Sequence, residues 1–292
     1  MALPYLTHDA YVWHIVGMSS LATPAQLGPI ANEFFGGKNP WTDGFPAFPS
    51  IRKELDLLLE FVASRNVKEL YLSRLRKGKP AQRYEYLNEI RVAYYFNSIG
   101  FEIADWEKPG NNPGCGEFTI SRDREDAIFV EVKSPGWEGT LTTDERKARR
   151  QKYSESDRIR RVLPNWGDVR KCIERAYPKF SSNRANLLVI AADFFAPLDN
   201  RQMRIALFEP AASEYGPGHF TSEDFRNLGG VTMFVNETDH LKFSEETGTV
   251  PRYGHLFYSN PYALNCRPEK YMRYEERPCL RRIGSVMAET PQ

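Results

Sequence analysis

The sequence has few cysteines, and no two of them lie close together. Its four cysteines, Cys115, Cys172, Cys266 and Cys279, are far apart, and the chain has no C-x-x-C motif. A zinc site built on paired cysteines and a disulfide framework are therefore not expected. Reduced thiols fit a cytosolic protein best, so we expect a cytoplasmic location.

Histidine is equally scarce, and its positions show no metal-ligand spacing. The five histidines are His8, His14, His219, His240 and His255. We expect hydrogen-bonding roles for most of them, in the core or at the surface.

Long apolar runs and an excess of one charge are also missing. No stretch approaches the roughly 20 apolar residues that span a bilayer as a helix. The first residues show no basic region followed by an apolar one, so neither a membrane segment nor a signal peptide is expected. The net charge is +1, so any contact with nucleic acid must come from a local patch.

The composition is that of an ordinary globular protein. The chain has 292 residues, of which 41% are hydrophobic and 26% charged, enough for one large domain or two small ones. We divide it into an N-terminal aromatic- and Pro-rich segment with a helical extension (1–80), an α/β domain (81–265) and a C-terminal tail (266–292). The repeated Pro and Gly between Gly36 and Pro49 predict a loop. Ser50 is predicted to cap the helix that follows it.

The most informative stretch ends in Glu131-Val132-Lys133. The apolar run from Ala127 to Val130 precedes it and Ser134-Pro135-Gly136 follows, which is typical of a buried strand leaving the core. Alternation along this strand places Glu131 and Lys133 on one face, with Val130 and Val132 on the other. Two charged side chains at the end of a core strand are unfavourable unless they are paired or used, so both are candidates for chemistry.

A helix predicted from about Arg83 to Ile99, ended by a left-handed Gly100, carries a second candidate. Glu89 shares its face with apolar side chains at helical spacing. A carboxylate on an apolar stripe is unusual. The alternative is that Glu89 is a salt-bridged residue at the edge of the stripe.

A third acidic residue, Glu117, opens a short strand that a polar connector joins to the strand of Glu131, and the two strands predict a hairpin. The hairpin brings Glu117 and Glu131 together, and we expect Glu89 to converge on the same end of the sheet. Carboxylate oxygens are the ligands that Mg²⁺ or Mn²⁺ prefers. With a lysine beside them, they indicate metal-dependent hydrolysis of a phosphodiester.

Later elements are predicted from their patterns. Asp168 to Phe180 predicts a helix. The continuous apolar run from Asn186 to Phe195 predicts a strand covered on both faces. Met203 to Phe208, Gly230 to Val235 and His255 to Tyr258 predict further strands.

Taken in order, these residues resemble the PD-(D/E)XK nuclease superfamily, which has the restriction-endonuclease-like fold. The resemblance covers about Tyr84 to Phe195. The family pattern is a helix carrying a Glu, an acidic residue opening the second strand, (D/E)-X-K on the third strand, and a helix leading into a fourth. The family usually has Asp, often after Pro, where this chain has Gly116-Glu117.

The resemblance implies an α/β fold whose restriction-endonuclease-like core has a mixed central sheet flanked by helices. It implies that Glu117 and Glu131 hold Mg²⁺ or Mn²⁺, with the backbone carbonyl of Val132 as a further ligand. It makes Lys133 the catalytic lysine and Glu89 a contact to the metal or its water. A homodimer is possible, because many relatives dimerise to cut both strands.

A basic segment from Trp137 to Arg161 follows the central strand. Its cations predict a surface that contacts phosphates; the alternative is a solvated helix, because acidic residues offset part of the charge. The candidate nucleic-acid-binding residues are Arg146, Lys147, Arg149, Arg150 and Lys152.

Three hypotheses follow for the whole chain. The leading one is a Mg²⁺-dependent endonuclease that acts on nucleic acid, with DNA favoured over RNA. The second is a nuclease-like fold without turnover that binds nucleic acid or supports an assembly. The third is a plain interaction protein in which the Glu131–Lys133 pair is structural.

Overall fold

The computed structural model describes residues 27–41, 49–78, 80–107, 117–122, 127–135, 165–191, 198–236 and 252–264. Over these ranges the protein is an α/β structure built on one mixed sheet. The helices are α1 (Pro29–Phe34), α2 (Pro49–Ser64), α3 (Lys68–Lys77), α4 (Pro80–Ser98), α5 (Trp166–Ala176) and α6 (Asn200–Phe208). The strands are β1 (Glu102–Trp106), β2 (Phe118–Ser121), β3 (Ile128–Lys133), β4 (Ala185–Ala191), β5 (Gly230–Asn236) and β6 (Tyr253–Ser259). Short 3₁₀ turns cover Tyr177–Lys179 and Glu223–Phe225.

Within the described residues the sheet has six strands in sequence order, β1-β2-β3-β4-β5-β6. The pairs β1–β2, β2–β3 and β5–β6 are antiparallel, whereas β3–β4 and β4–β5 are parallel. The predicted hairpin between the strands of Glu117 and Glu131 is therefore confirmed. β4 lies between two parallel neighbours and is buried at every position, as its continuous apolar sequence predicts.

Two apolar cores lie on opposite faces of the sheet. Val130 and Val132 belong to the core shared with α2, α3 and α4, whereas Phe129 belongs to the core shared with α5 and α6. The predicted alternation along β3 is confirmed, and it directs Glu131 and Lys133 towards the α5 face. The helices before residue 80 share a core with the sheet; the domain boundaries themselves stay predictions.

Local signals explain where the two helices around β3 begin and end. α4 ends at Ser98, and Gly100 follows with φ of +93°, the left-handed conformation predicted for the cap. α5 begins after Asn165, whose side chain accepts hydrogen bonds from the N–H groups of Gly167 and Asp168. Asp168 in turn accepts from the N–H of Asn165, which completes a capping box.

Two predictions about elements are corrected. Residues 203–208 form the end of α6 and not a strand: the side chain of Asp199 caps the helix by accepting from the N–H of Gln202, and the buried residues Met203, Ala206 and Leu207 follow helical spacing. α2 begins at Pro49, one residue before the predicted cap Ser50, because proline suits the first helical position.

Several predicted features fall on residues that the structure does not describe. They include the basic segment from Trp137 to Arg161, three of the cysteines and the segments before residue 27 and after residue 264. Cys172, on α5, is a buried free thiol. None of the helices in the described ranges is both long and apolar enough to cross a membrane.

Candidate active site

The β2–β3 hairpin sets two carboxyl groups against each other. Phe118 pairs with Val130, and continuing this antiparallel register by one residue places Glu117 opposite Glu131. The N–H of Val132 donates to Glu117 Oε2 at 3.3 Å, which holds this side chain against β3. Like charges directly opposite on a sheet are destabilising, so the pair requires a proton or cations nearby.

Glu131 is the most buried acidic group of the site, with no exposed surface. Its Oε1 accepts from two ammonium groups, Lys133 Nζ at 2.5 Å and Lys179 Nζ at 2.6 Å. Its Oε2 is buried and accepts no N–H or hydroxyl hydrogen bond from the residues that the structure describes. A buried carboxylate oxygen without such a donor is uncommon in proteins, so this oxygen is a candidate for a further contact.

The ammonium group of Lys133 lies among the three oxygen-bearing groups that the sequence predicted as metal ligands. It is 2.5 Å from Glu131 Oε1, 3.3 Å from the carbonyl oxygen of Val132 and 3.9 Å from Glu117 Oε1. A single positive charge thus bridges two carboxyl groups and a backbone carbonyl. This donor set, made only of oxygens, is the kind that hard divalent cations prefer.

The two carboxyl groups titrate as a pair. Burial, followed by the charge of Glu131, raises the pKa of Glu117 well above its ordinary value. Burial also opposes ionisation of Glu131, but a hydrogen bond from Glu117 and the charges of Lys133 and Lys179 outweigh it and lower the pKa of Glu131. The pair therefore shares one proton, held on Glu117 and directed at Glu131.

Lys133, which lies beside the two carboxyl groups, is a stable cation. Burial opposes the charge of Lys133, but Glu117 and Glu131 more than offset it, so its pKa lies above the ordinary value. Lys133 therefore serves as a positive charge and a hydrogen-bond donor, and not as a general base, while both carboxyl groups surround it.

Glu89 lies near the pair but is held by other partners. Its Oε2 accepts from Arg74 Nη1 at 3.1 Å and from the hydroxyl of Tyr71 at 3.3 Å. Burial raises its pKa to about 7, although the charges of Arg74 and Lys133 oppose the rise. Glu89 also lies close enough to Glu117, Glu131 and Lys133 for these charges to act on one another. The structure therefore brings Glu89 near the Glu117–Glu131 pair, while its direct hydrogen bonds are to Arg74 and Tyr71.

Two site residues were missed by the sequence analysis. Lys179 reaches Glu131 from the 3₁₀ turn after α5, 48 residues along the chain. Glu85, one turn before Glu89 on α4, lies close enough to Lys133 and Arg175 for their charges to oppose the pKa rise that its burial causes. Glu85 shares the helical face of Glu89, which was its only signal in the sequence.

The described residues offer a divalent cation a small set of oxygen ligands. Within the described ranges, no three His, Cys, Asp or Glu side chains form a group that could hold a metal ion. The candidate set is instead the two carboxyl groups of Glu117 and Glu131 with the carbonyl of Val132. The unsatisfied Oε2 of Glu131 and the bridging position of the Lys133 ammonium support this set. The predicted phosphate contacts Arg146, Lys147, Arg149, Arg150 and Lys152 lie outside the described residues.

A second cluster of buried charged and polar side chains lies between α2, α4, β5 and β6. Glu54 Oε2 accepts from Arg91 Nη2 at 2.6 Å, and its Oε1 accepts from Arg91 Nε at 2.9 Å, from the Tyr253 hydroxyl at 2.6 Å and from Asn236 Nδ2 at 3.3 Å. Both oxygens of this carboxylate are satisfied, and the arginine binds it through two nitrogens, the strongest geometry for such a pair.

This second cluster connects to the strand end that carries the site. Arg91 Nη1 donates to Asn88 Oδ1 at 2.9 Å, and Asn88 Nδ2 donates to the hydroxyl of Ser134 at 2.9 Å. Ser134 directly follows Lys133, so the buried chain of hydrogen bonds fixes the backbone where β3 ends.

Comparison of the chain with protein-family models, with curated proteins and with solved structures finds no match.

Proposed function

We propose that this protein is a metal-dependent nuclease with a PD-(D/E)XK-like core, which hydrolyses phosphodiester bonds of nucleic acid, with DNA favoured over RNA. The observation that carries the proposal is the position of the Lys133 ammonium among Glu131 Oε1, the Val132 carbonyl and Glu117 Oε1. A positive charge held there by two carboxyl groups and a carbonyl oxygen supports a cation site at this point.

The order of elements supports the same proposal. The helix of Glu89, three strands connected as antiparallel neighbours, helix α5 and a fourth strand parallel to the third follow one another along the chain. The family pattern has this order, with its acidic residues at the start of the second strand and at the end of the third. A fold alone does not establish an activity, so the argument rests on the site.

A Mg²⁺ or Mn²⁺ ion would be held by Glu117, Glu131 and the Val132 carbonyl, where it would polarise the phosphate and activate a water molecule. The proton shared by the two carboxyl groups must leave first, because ligands bind hard cations in their ionised form. Glu131 has no exposed surface, so its charge acts in a medium of low polarity.

The lysines supply the positive charge that the reaction needs beside the carboxylates. With a cation held by the carboxyl groups, Lys133 would donate to an oxygen of the scissile phosphate and so stabilise the negative charge that develops on it. Lys179 holds Oε1 of Glu131 from the other side at 2.6 Å, which orients this carboxylate. Ser134 and Asn88 keep the end of β3 in place.

The test is cleavage of labelled DNA and RNA, single- and double-stranded, with Mg²⁺, Mn²⁺ or EDTA. Cleavage that requires the metal and is lost in folded Lys133→Ala supports the proposal. Lys77→Ala, at an exposed lysine on α3, is the matched control and should cleave like the wild type. Cleavage that persists in Lys133→Ala, or in EDTA, would contradict the proposal.

A second function, a nucleic-acid-binding module without turnover, has one observation in its favour. Two ammonium groups already neutralise Glu131, and Glu117 stands where the family usually has Asp. This alternative predicts that nucleic acid binds without being cut under any metal condition, and that Lys133→Ala leaves the binding unchanged.

A further inference from the structure

Arg74 of α3 connects two elements that border the candidate active site. Its Nη1 donates to Glu89 Oε2 on α4 at 3.1 Å, and its Nη2 donates to Glu107 Oε1 directly after β1. The planar fork of a guanidinium can bind two carboxyl groups at once, which a lysine does less precisely. One side chain from the helices before residue 80 therefore bridges α4 and the end of β1.

Two aromatic rings hold this guanidinium in place. Its central carbon lies 5.5 Å from the centre of the Tyr71 ring and 5.2 Å from that of Tyr86, within the range of a cation–π contact. The Arg74 side chain is 22% exposed and that of Glu89 is 10% exposed. Solvent ions screen such a partly buried pair much less than a surface pair, so the contact is a persistent part of the structure.

Glu107 carries this contact on to the Glu117–Glu131 pair. The φ of Glu107 is +54°, in the left-handed region that residues other than glycine adopt rarely and at a cost. Its N–H donates to the carbonyl oxygen of Glu117 at 2.8 Å, and the N–H of Glu117 donates to the carbonyl oxygen of Val130 at 3.2 Å. The backbone of Glu117 is thus held from both sides, and Arg74 binds the residue on one of those sides.

A second arginine of α3 contacts a different part of the fold. Arg76 Nη2 donates to the carbonyl oxygen of Phe35, directly after α1, at 2.5 Å. This contact ties α3 to the N-terminal helices, whereas Arg74 ties α3 to the residues around the site. The two arginines therefore separate the packing of α3 from its action on the site.

We infer that Arg74 is a positioning residue of the candidate active site, which fixes the carboxyl group of Glu89 directly and the backbone of Glu117 through Glu107. The inference rests on the proposed function, because the groups that Arg74 positions belong to that function's site. It gives the helices before residue 80 a part in the site, in addition to their share of the hydrophobic core.

Amide hydrogen exchange of the full chain in EDTA tests the positioning without metal or turnover. The N–H groups of Glu107 and Val132 both bond to Glu117, one to its carbonyl oxygen and one to its Oε2. In Arg74→Met both should exchange at least about tenfold faster than in the wild type, because a charged hydrogen-bond donor that holds this region is lost.

Arg76→Met is the matched control, since it removes an arginine of the same helix. Any general loosening of the N-terminal helices should appear in both variants, but Glu107 and Val132 should exchange at wild-type rates in Arg76→Met. Glu107→Gln, at a side chain that is 38% exposed, breaks the link to β1 and keeps the pair of Arg74 with Glu89. It should also speed the exchange of both groups, so the test does not depend on the folding of Arg74→Met.

Cleavage with Mg²⁺ supplies the second readout. In Arg74→Met, kcat should fall by about 10–100-fold, the usual loss when a group that orients metal ligands is removed. KM for DNA should stay near the wild-type value, because both arms of the guanidinium bind carboxyl groups. Arg74→Lys keeps the charge without the planar fork and should restore only part of the rate.

Wild-type exchange at Glu107 and Val132 in both Arg74→Met and Glu107→Gln would overturn the inference, and so would an equal rise in Arg76→Met. An unchanged kcat in Arg74→Met would overturn it as well. A wild-type protein that cuts no nucleic acid, but in which exchange at these two groups responds to Arg74 and not to Arg76, would fail the proposed function while supporting the positioning role.

Discussion

Two buried glutamates of this protein have nearly the same exposure and opposite surroundings. Glu54 is 1% exposed and Glu131 is 0% exposed. Each oxygen of Glu54 accepts a hydrogen bond from Arg91, and Oε1 accepts two more from neutral groups. Glu131 has two lysines on one oxygen, no N–H or hydroxyl donor from the described residues on the other, and a second carboxyl group opposite it.

The difference teaches how to separate a structural charge from a functional one. A buried ion pair is tolerated when hydrogen bonds satisfy every atom of it, as they do around Glu54. A buried carboxylate whose second oxygen accepts no N–H or hydroxyl group from the described residues, and which faces another carboxyl group, is the kind of perturbed group that clusters at functional sites. Glu54 and Arg91 therefore fit a structural role, whereas we propose that Glu117 and Glu131 bind a cation.

The largest effect on stability is expected from removing Arg91 from the Glu54 cluster, in which both carboxylate oxygens accept hydrogen bonds. Arg91→Met leaves Glu54 buried without its cation, and the free energy of unfolding should fall by about 3–5 kcal/mol. Urea unfolding measures this loss. Arg65→Met, which removes an exposed arginine, should change stability by less than about 0.5 kcal/mol. Similar small losses in both variants would remove the contrast between the two clusters.

The opposite response is expected from the Glu117–Glu131 pair, namely a small change in stability and a large loss of activity. The pKa of Glu117 is raised well above its ordinary value, which favours its neutral form, so Glu117→Gln should change stability by less than about 1 kcal/mol. Cleavage should fall by about a hundredfold or more, because a direct ligand matters at least as much as the groups that orient ligands. Glu102→Gln, at an exposed position of β1, is the control. Full activity in Glu117→Gln would exclude this residue from the site.

Glu89 lies on α4, which also carries Arg91 of the Glu54 cluster, and it is close to the Glu117–Glu131 pair. The pH dependence of stability tests whether Glu89 carries a proton in the folded protein. Its pKa rises from 4.5 to about 7 in the folded protein, so between these values the folded state keeps a proton that the unfolded state has released. Stability should therefore fall as pH rises through this window, by up to about 1.4 kcal/mol per pH unit relative to Glu89→Gln.

Urea unfolding of both proteins in EDTA buffers from about pH 5 to about pH 7 measures this slope. Equal slopes would mean that Glu89 stays ionised in the folded protein, as a member of a charged site would.

The smallest effect is expected at Lys179. This lysine shares Glu131 Oε1 with Lys133, so Lys179→Gln should lower the cleavage rate at saturating DNA by about tenfold, or about 1.4 kcal/mol. Lys179→Arg retains the charge and should recover most of the rate. A loss as complete as that of Lys133→Ala would show that the two lysines do the same work.

The sequence predicted those parts of the site that local patterns determine. Alternation along β3 places Glu131 and Lys133 on one face, and the short connector after Glu117 makes the hairpin. The end of α4 at a left-handed Gly100 followed from the same kind of local rule. In each case the residues that decide the structure are neighbours along the chain.

The rest depends on contacts between distant parts of the chain. Lys179 reaches Glu131 from the turn between α5 and β4, so this contact depends on the packing of α5 against β3 and on the pairing of β4 with β3. Glu89 accepts a hydrogen bond from Arg74 on the preceding helix, 15 residues earlier in the chain. The helical period within α4 gives no sign of this contact. Residues 203–208 are mostly good helix formers, but this short apolar run does not reveal a helical period by itself, and the cap of Asp199 with the packing of α6 on α5 makes it a helix.

The most direct test of the account is calorimetric titration of metal-free protein with Mn²⁺, repeated in buffers of different ionisation enthalpy. The account predicts that the wild type binds Mn²⁺ and releases protons, because the proton shared by Glu117 and Glu131 must leave, and that Glu131→Gln does not bind. Absence of binding by the wild type, or equal binding by Glu131→Gln, would contradict the claim that this pair is a cation site.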